Sequence, residues 1–158
     1  MKMILPVLLL LIAVHDMCAN LGETFDQTVA RYGPVLKKEQ SANPQYLTPS
    51  EATVQYEFEK NGFRIRVSFV NGKCAWILYT KPNEPIYESE LRTLLDNNAE
   101  GSQWNEGTNV PDRFAKKHMR YSRADGSANA EYEELGDYRG LGIITKAWRD
   151  ATSAASGL

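Results

Sequence analysis

Histidine and cysteine are both scarce in this sequence. Its 158 residues include two of each, and His15 and Cys18 lie within the first nineteen. Removal of residues 1–19 would leave Cys74 and His118, which excludes an intramolecular disulfide bond. A histidine-based metal site and a two-histidine relay are excluded on the same count. We therefore expect neither a metal ion nor a cofactor.

The chain also lacks a strong net charge and a long apolar run. Its 18 basic and 20 acidic residues give a formal charge of −2, which argues against binding to nucleic acid or to an anionic membrane surface. The apolar run from Met3 to Val14 is too short to span a bilayer. No stable membrane insertion is expected.

The first residues are typical of a signal peptide. Lys2 precedes the apolar run, and Ala19 is a small residue suited to cleavage. We predict a signal peptide over residues 1–19 and a secreted or periplasmic mature protein. Lipidation at Cys18 is a weaker alternative, because Asp16 and Met17 precede it instead of small residues.

Residues 54–81 predict a three-stranded antiparallel meander. This stretch holds two Asn-Gly pairs, at 61–62 and 71–72, each flanked by alternating apolar and polar residues. A two-residue hairpin turn needs positive φ at both central positions, which Asn and Gly tolerate. The first turn then sets Phe58 opposite Ile65 and Glu57 opposite Arg66, so that apolar meets apolar and acid meets base.

The predicted register assigns each residue to one face of the meander. Pairing outward from the second turn sets Cys74 opposite Phe69 and Trp76 opposite Val67. The predicted core face carries Val54, Tyr56, Phe58, Ile65, Val67, Phe69, Cys74, Trp76 and Leu78. The predicted opposite face carries Glu57, Glu59, Arg64, Arg66, Ala75, Ile77 and Tyr79.

Two short helices are expected outside the meander. Thr24 and Gln27 have the spacing of a capping box, and the helix they begin ends at Gly33-Pro34. Leucines at helical spacing predict a second helix from Ser89. The polar stretches 35–51 and 101–117 are predicted as loops, the first with a short edge strand near Tyr46.

The order of these parts repeats along the chain. Helix, long polar loop, hairpin and further strand occur twice, at offsets of 64 or 65 residues. We predict an α+β fold of two tandem repeats, each a short helix followed by an antiparallel β-meander, with the helices on one face of the sheet. The repeats would span 20–84 and 85–150, and 151–158 is predicted to be a disordered tail.

The motif Gly22-x-Thr24-x-x-Gln27, leading to Gly33-Pro34, resembles the helix motif of the BamE-like (SmpA/OmlA) outer-membrane assembly lipoproteins. The duplicated helix-plus-meander plan is similar to the architecture of the beta-lactamase inhibitor proteins, which present a concave sheet to their target. These resemblances imply a non-catalytic protein-binding module.

Few residues are candidates for catalysis, and we predict no catalytic residue. Cys74 lies on the predicted core face, where a thiol is usually inert, and His118 stands among basic residues as a solvated side chain. No phosphate-binding loop, His-Glu-x-x-His helix or Cys-x-x-Cys pair is present. The alternative is a small cell-envelope or glycan hydrolase that uses paired carboxylates near Glu131 and Glu133. That chemistry needs facing carboxyls in a cleft and a raised pKa.

The predicted open sheet face is the favoured partner-binding surface. Arg64, Arg66, Ile77 and Tyr79 would be neighbours there, and such an amphipathic, arginine-rich and aromatic group suits an interface centre. An ordinary solvated face is the competing interpretation. Trp104 would either anchor the partner or fold back over the core. A protein partner is expected, and self-association is a third possibility.

Overall fold

The computed structural model describes residues 20–40, 51–109 and 116–156, so the predicted signal peptide and Tyr46 lie outside the described residues. The helices are α1 (Phe25–Tyr32), α2 (Glu88–Asn97) and α3 (Lys146–Ser156), with a short 3-10 helix at Glu51–Thr53. The strands are β1 (Lys37–Gln40), β2 (Val54–Lys60), β3 (Phe63–Val70), β4 (Lys73–Thr80), β5 (Trp104–Asn109), β6 (Lys117–Arg123), β7 (Ala128–Leu135) and β8 (Tyr138–Thr145).

These strands form one antiparallel sheet. Its order is β1-β2-β3-β4-β8-β7-β6-β5, so each half of the chain contributes a four-stranded meander and the two meet at β4 and β8. The predicted α+β class and the three adjoining strands over residues 54–80 are confirmed. None of the described helices is both long and apolar enough to cross a membrane.

The two Asn-Gly turns form as predicted. Asn61 and Asn71 have φ of 52°, and the glycines after them have φ of 78° and 69°, the values that the right-handed twist of a two-residue hairpin requires. The predicted pairing of β2 with β3 is confirmed, including Phe58 opposite Ile65.

The second hairpin departs from the predicted register because β4 contains an extra residue. Phe69 lies opposite Cys74, as predicted, but Ser68 lies opposite Trp76, which leaves Ala75 as a β-bulge. A bulge reverses the alternation of faces for the rest of the strand. The prediction that Trp76 and Leu78 belong to the core face is therefore wrong.

The buried cluster contains residues of the sheet together with residues of α1 and α2. Tyr32 of α1 contacts Phe58, with ring centroids 5.6 Å apart, and Leu91, Leu94 and Leu95 of α2 are buried. The sheet contributes Phe58, Ile65, Val67, Phe69, Cys74, Ile77, Tyr79, Tyr121, Ala128, Ala130, Tyr132, Leu141 and Ile143.

The start of α1 is confirmed in detail, and a buried amide follows the end of α2. Thr24 and Gln27 form the reciprocal capping box that their spacing predicts.

The Asn98 side chain accepts a hydrogen bond from the Leu21 backbone N–H (3.0 Å) and donates to the Leu94 carbonyl (2.7 Å) and the Tyr79 hydroxyl (3.3 Å). It therefore ties the start of the described chain and α2 to β4.

Two stretches predicted as loops contain edge strands. β1 occupies 37–40 within the predicted loop 35–51, and β5 occupies 104–109 within the predicted loop 101–117. Both strands are mostly polar and pair on one side only, so they lack the apolar alternation from which a half-buried strand is recognised.

The end of the chain also differs from its prediction. Residues 151–156 belong to α3, so the prediction of a disordered tail is wrong for them; residues 157–158 lie outside the described part. The Thr145 hydroxyl accepts a hydrogen bond from the Trp148 N–H (3.1 Å), as a helix N-cap does. The Trp148 ring stacks on Trp76, with centroids 6.1 Å apart and planes inclined by 21°.

Thr145 also stabilises the bulge, because its hydroxyl donates to the Ala75 carbonyl (3.1 Å). We expect Thr145→Val to lower the free energy of unfolding by about 1–3 kcal/mol, since it leaves both groups without a partner. Denaturation in urea measures this loss. Thr93→Val is the control, because the exposed Thr93 hydroxyl donates within α2 to Ser89, and a loss below about 0.5 kcal/mol is expected there. Equal losses in both variants would contradict the role of Thr145.

Candidate interaction face

The face of the sheet away from the buried cluster carries paired charges. Residues directly opposite each other on neighbouring strands share a face. One row across the sheet runs through Lys37, Glu57, Arg66, Leu78, Gly142, Glu131 and Arg120. Acid and base alternate at both ends of this row, and an apolar residue and a glycine occupy its middle. We call this surface the outer face.

Arg64 and Arg66 lie on the outer face, where they were predicted. Their side chains keep 46% and 39% of their exposure. Both pair with Glu57, through Nε–Oε distances of 3.6 Å for Arg64 and 2.9 Å for Arg66. Two guanidinium groups sharing one carboxylate are held in place, yet they keep further N–H donors for another acceptor.

The prediction that Ile77 and Tyr79 share this face is wrong. Ile77 is 0% exposed and Tyr79 is 1% exposed, and both belong to the buried cluster. The bulge at Ala75 turns them inward and turns Trp76 and Leu78 outward. No local sequence pattern marks this bulge, because the alternation in β4 reads equally well in either register.

Trp104 does not join the outer face. It lies in β5 opposite Arg123 and packs against the buried cluster. Its indole N–H donates to the Leu95 carbonyl at 2.7 Å, which fixes the ring beside the last turn of α2. The five predicted partner-binding residues are therefore divided between two sides of the sheet. The interpretation in which Trp104 folds back over the core fits this position.

A groove of about 560 Å³ lies on the outer face. Trp76 and Ile144 line its apolar part, while Arg120 and Glu131 line its charged part. Gly142 contributes no side chain, and a Cβ placed there would meet nothing closer than 4.0 Å. This groove was not predicted from the sequence, although a glycine at 142 inside a strand was a signal of close approach or open space there.

His118, which was predicted to be a solvated side chain, contacts Glu131, one of the residues that line the groove. That prediction is wrong, since His118 is only 6% exposed. It lies opposite Glu133 in the sheet, and its Nε2 is 2.5 Å from Glu131 Oε1. Its contacts are with residues on the facing strand, which no local sequence pattern reveals.

Glu131 does not have the raised pKa that the hydrolase alternative needs of its general acid. Partial burial raises the pKa of Glu131, but hydrogen bonds from Arg120 and His118 outweigh it and bring the pKa below its usual value. A general acid needs the opposite shift. Burial also raises the pKa of the Cys74 thiol well above its usual range, so this cysteine is held as an unreactive thiol.

The open space at Gly142 has a measurable consequence. We expect Gly142→Ala to raise the free energy of unfolding by about 0.5–1 kcal/mol, because alanine fits the space and restricts the unfolded chain. Gly140→Ala is the comparison, since a Cβ there would lie 2.5 Å from the Tyr138 hydroxyl and must displace that ring. Chemical denaturation of both variants tests the difference, and a loss of stability at 142 would show that the floor of the groove is closed.

We compared the chain with known protein families, curated proteins and solved structures. No protein-family model, curated protein or solved structure matches the chain. The resemblances to BamE-like proteins and to beta-lactamase inhibitor proteins stay predictions. The assignment of the outer face therefore depends on the register, burial and contacts of the chain's own residues.

Proposed function

We propose that this chain is an exported, non-catalytic protein-binding module whose outer face meets a protein partner. The groove beside Trp76 carries this proposal, because it joins an apolar part, lined by Trp76 and Ile144, to the charged side chains of Arg120 and Glu131 on one sheet face. A partner would place an apolar side chain against Trp76 and Ile144 and would accept hydrogen bonds from the arginines. Aromatic residues and arginine are enriched at the centres of such interfaces.

Several side chains on the outer face are held in fixed positions by their neighbours, which supports binding. Arg66 is held by Glu57, and Arg120 is held by Glu131 at 2.8 Å. Trp76 is fixed by its stacking on Trp148. Side chains that are already ordered lose less conformational entropy when a partner arrives.

Export and duplication form part of the same proposal. The apolar run behind Lys2 favours secretion or a periplasmic location. The element order α1-β1-β2-β3-β4 recurs as α2-β5-β6-β7-β8, and the two meanders occupy mirrored positions in the sheet order. We take this as a tandem repeat with α1 and α2 on one face. The contacts of Tyr32 with Phe58 and of Asn98 with Tyr79 support that placement.

Filling the groove tests the proposal. The chain would be immobilised and exposed to the native envelope fraction, and retained proteins would be identified and quantified by mass spectrometry. We expect Gly142→Leu to reduce retention of the partner at least about tenfold, since leucine would occupy the space for its apolar side chain. Arg66→Glu should do the same by reversing a charge on the outer face next to Leu78.

Arg92→Glu is the matched control, because Arg92 is an exposed residue of α2 whose side chain is 73% exposed. Its retention should equal that of the unmodified chain. Thermal unfolding of each variant confirms that the fold is kept. Equal retention by Gly142→Leu and the unmodified chain, or no protein retained by either, would contradict the proposal.

A further inference from the structure

The pairing of β6 with β7 brings one histidine and two glutamates together at the edge of the groove. His118 lies directly opposite Glu133, and Glu131 lies diagonally across from it on the same face. Opposite and diagonal neighbours in an antiparallel pair are within reach of long side chains. We propose that His118, Glu131 and Glu133 form a binding site for a divalent transition-metal ion, with Zn²⁺ as the best-fitting probe.

The spacing of the donor atoms suits a metal ion. His118 Nε2 is 3.5 Å from Glu133 Oε1 and 2.5 Å from Glu131 Oε1, and one donor atom from each residue lies within 4.8 Å of the others. Ligands of tetrahedral zinc stand about 3.4 Å apart, given bonds of about 2.0–2.2 Å. The first pair already has that spacing. Glu131 must withdraw from His118 by about 1 Å. This movement also changes its contact with Arg120, and the side chain has room for it because 44% of it is exposed.

The burial of the three groups is also suited to binding. The His118 side chain is 8% exposed, whereas those of Glu131 and Glu133 are 44% and 38% exposed. A buried imidazole is held in position, and the open side of the carboxylates leaves room for water to complete the coordination. One nitrogen and two oxygen donors favour zinc or a similar transition ion over Ca²⁺ or Mg²⁺, which prefer oxygen alone.

The proton on His118 sets the expected affinity. Its contact with Glu131 assigns the proton to Nε2, while Nδ1 is buried without a hydrogen-bond partner within the described part of the chain. A metal ion on Nε2 would move this proton to Nδ1, where no acceptor supports it. Loss of such outer support weakens metal binding about 10–100-fold. The Arg120 guanidinium beside Glu131 opposes a cation as well, so a micromolar dissociation constant is expected.

This site was not predicted from the sequence, where the small number of histidines was taken to exclude a metal ion. The proposal departs from the expectation of no metal ion, which followed from the presence of one histidine beyond residue 19. Two of the three donors proposed here are carboxylates on the facing strand. The same cluster was considered only as a pair of catalytic acids. The present inference rests on the three side chains alone and does not depend on the proposed protein partner.

Isothermal titration of the untagged full chain with Zn²⁺ tests the site. We expect one micromolar site, weakened at least about tenfold by Glu131→Gln, Glu133→Gln or His118→Ala. Arg120→Ala should bind several-fold more tightly, because it removes the competing cation. Glu134→Gln is the matched control: Glu134 follows Glu133 in β7 but points to the other face, and glutamine can still accept from Tyr132.

His118→Ala alters a buried position, so thermal unfolding must accompany it. If that variant does not fold, the two surface substitutions and Arg120→Ala decide the outcome. Unchanged affinity in both Glu131→Gln and Glu133→Gln would overturn the proposal. Equal weakening in Glu134→Gln would do the same, as would the absence of any binding below millimolar Zn²⁺ in the unmodified chain.

Discussion

The bulge at Ala75 decides which side chains of β4 reach the core. Because side chains alternate between faces with a period of two, one extra residue exchanges the two sets for the remainder of the strand. Ile77 and Tyr79 are buried as a result, and Trp76 turns outward. Both the packed core and the outer face therefore depend on this single insertion.

The bulge and α3 stabilise each other. The Ala75 carbonyl accepts from Thr145, and the same hydroxyl accepts from the backbone of Trp148 at the start of α3. An outward tryptophan on a bare sheet would expose a large apolar surface, but the helix brings Trp148 to stack on Trp76. Trp76 of this pair also lines the apolar part of the groove.

Chemistry on the outer face comes from pairing between strands and not from sequence motifs. Arg120, Glu131 and Glu133 are ordinary alternating residues of two strands. The buried His118 contacts both glutamates, and Arg120 contacts Glu131. Gly142, on the neighbouring strand, has no side chain, so the space above it stays open. The groove and the His118 cluster are the places on this face where we propose that an apolar side chain and a cation bind.

Local interactions made part of this structure predictable. The two Asn-Gly turns, the capping box at Thr24 and the pairing of β2 with β3 each depend on residues close in the chain, so their patterns are visible in the sequence. The placement of Arg64 and Arg66 followed from that same hairpin. Edge strands β1 and β5 were missed because polar residues that pair on one side show no apolar alternation.

By itself, then, the sequence determined the two Asn-Gly turns, the pairing of β2 with β3, the first helix cap and the α+β class. Tertiary structure alone decided the faces of β4, the position of Trp104 and the neighbours of His118. The reason is distance along the chain: Cys74, beside the bulge, pairs its backbone N–H and carbonyl with Glu23 and Gly22, and the bulge carbonyl bonds to Thr145. Contacts between residues some 50 to 70 positions apart leave no periodic trace in any short window of sequence.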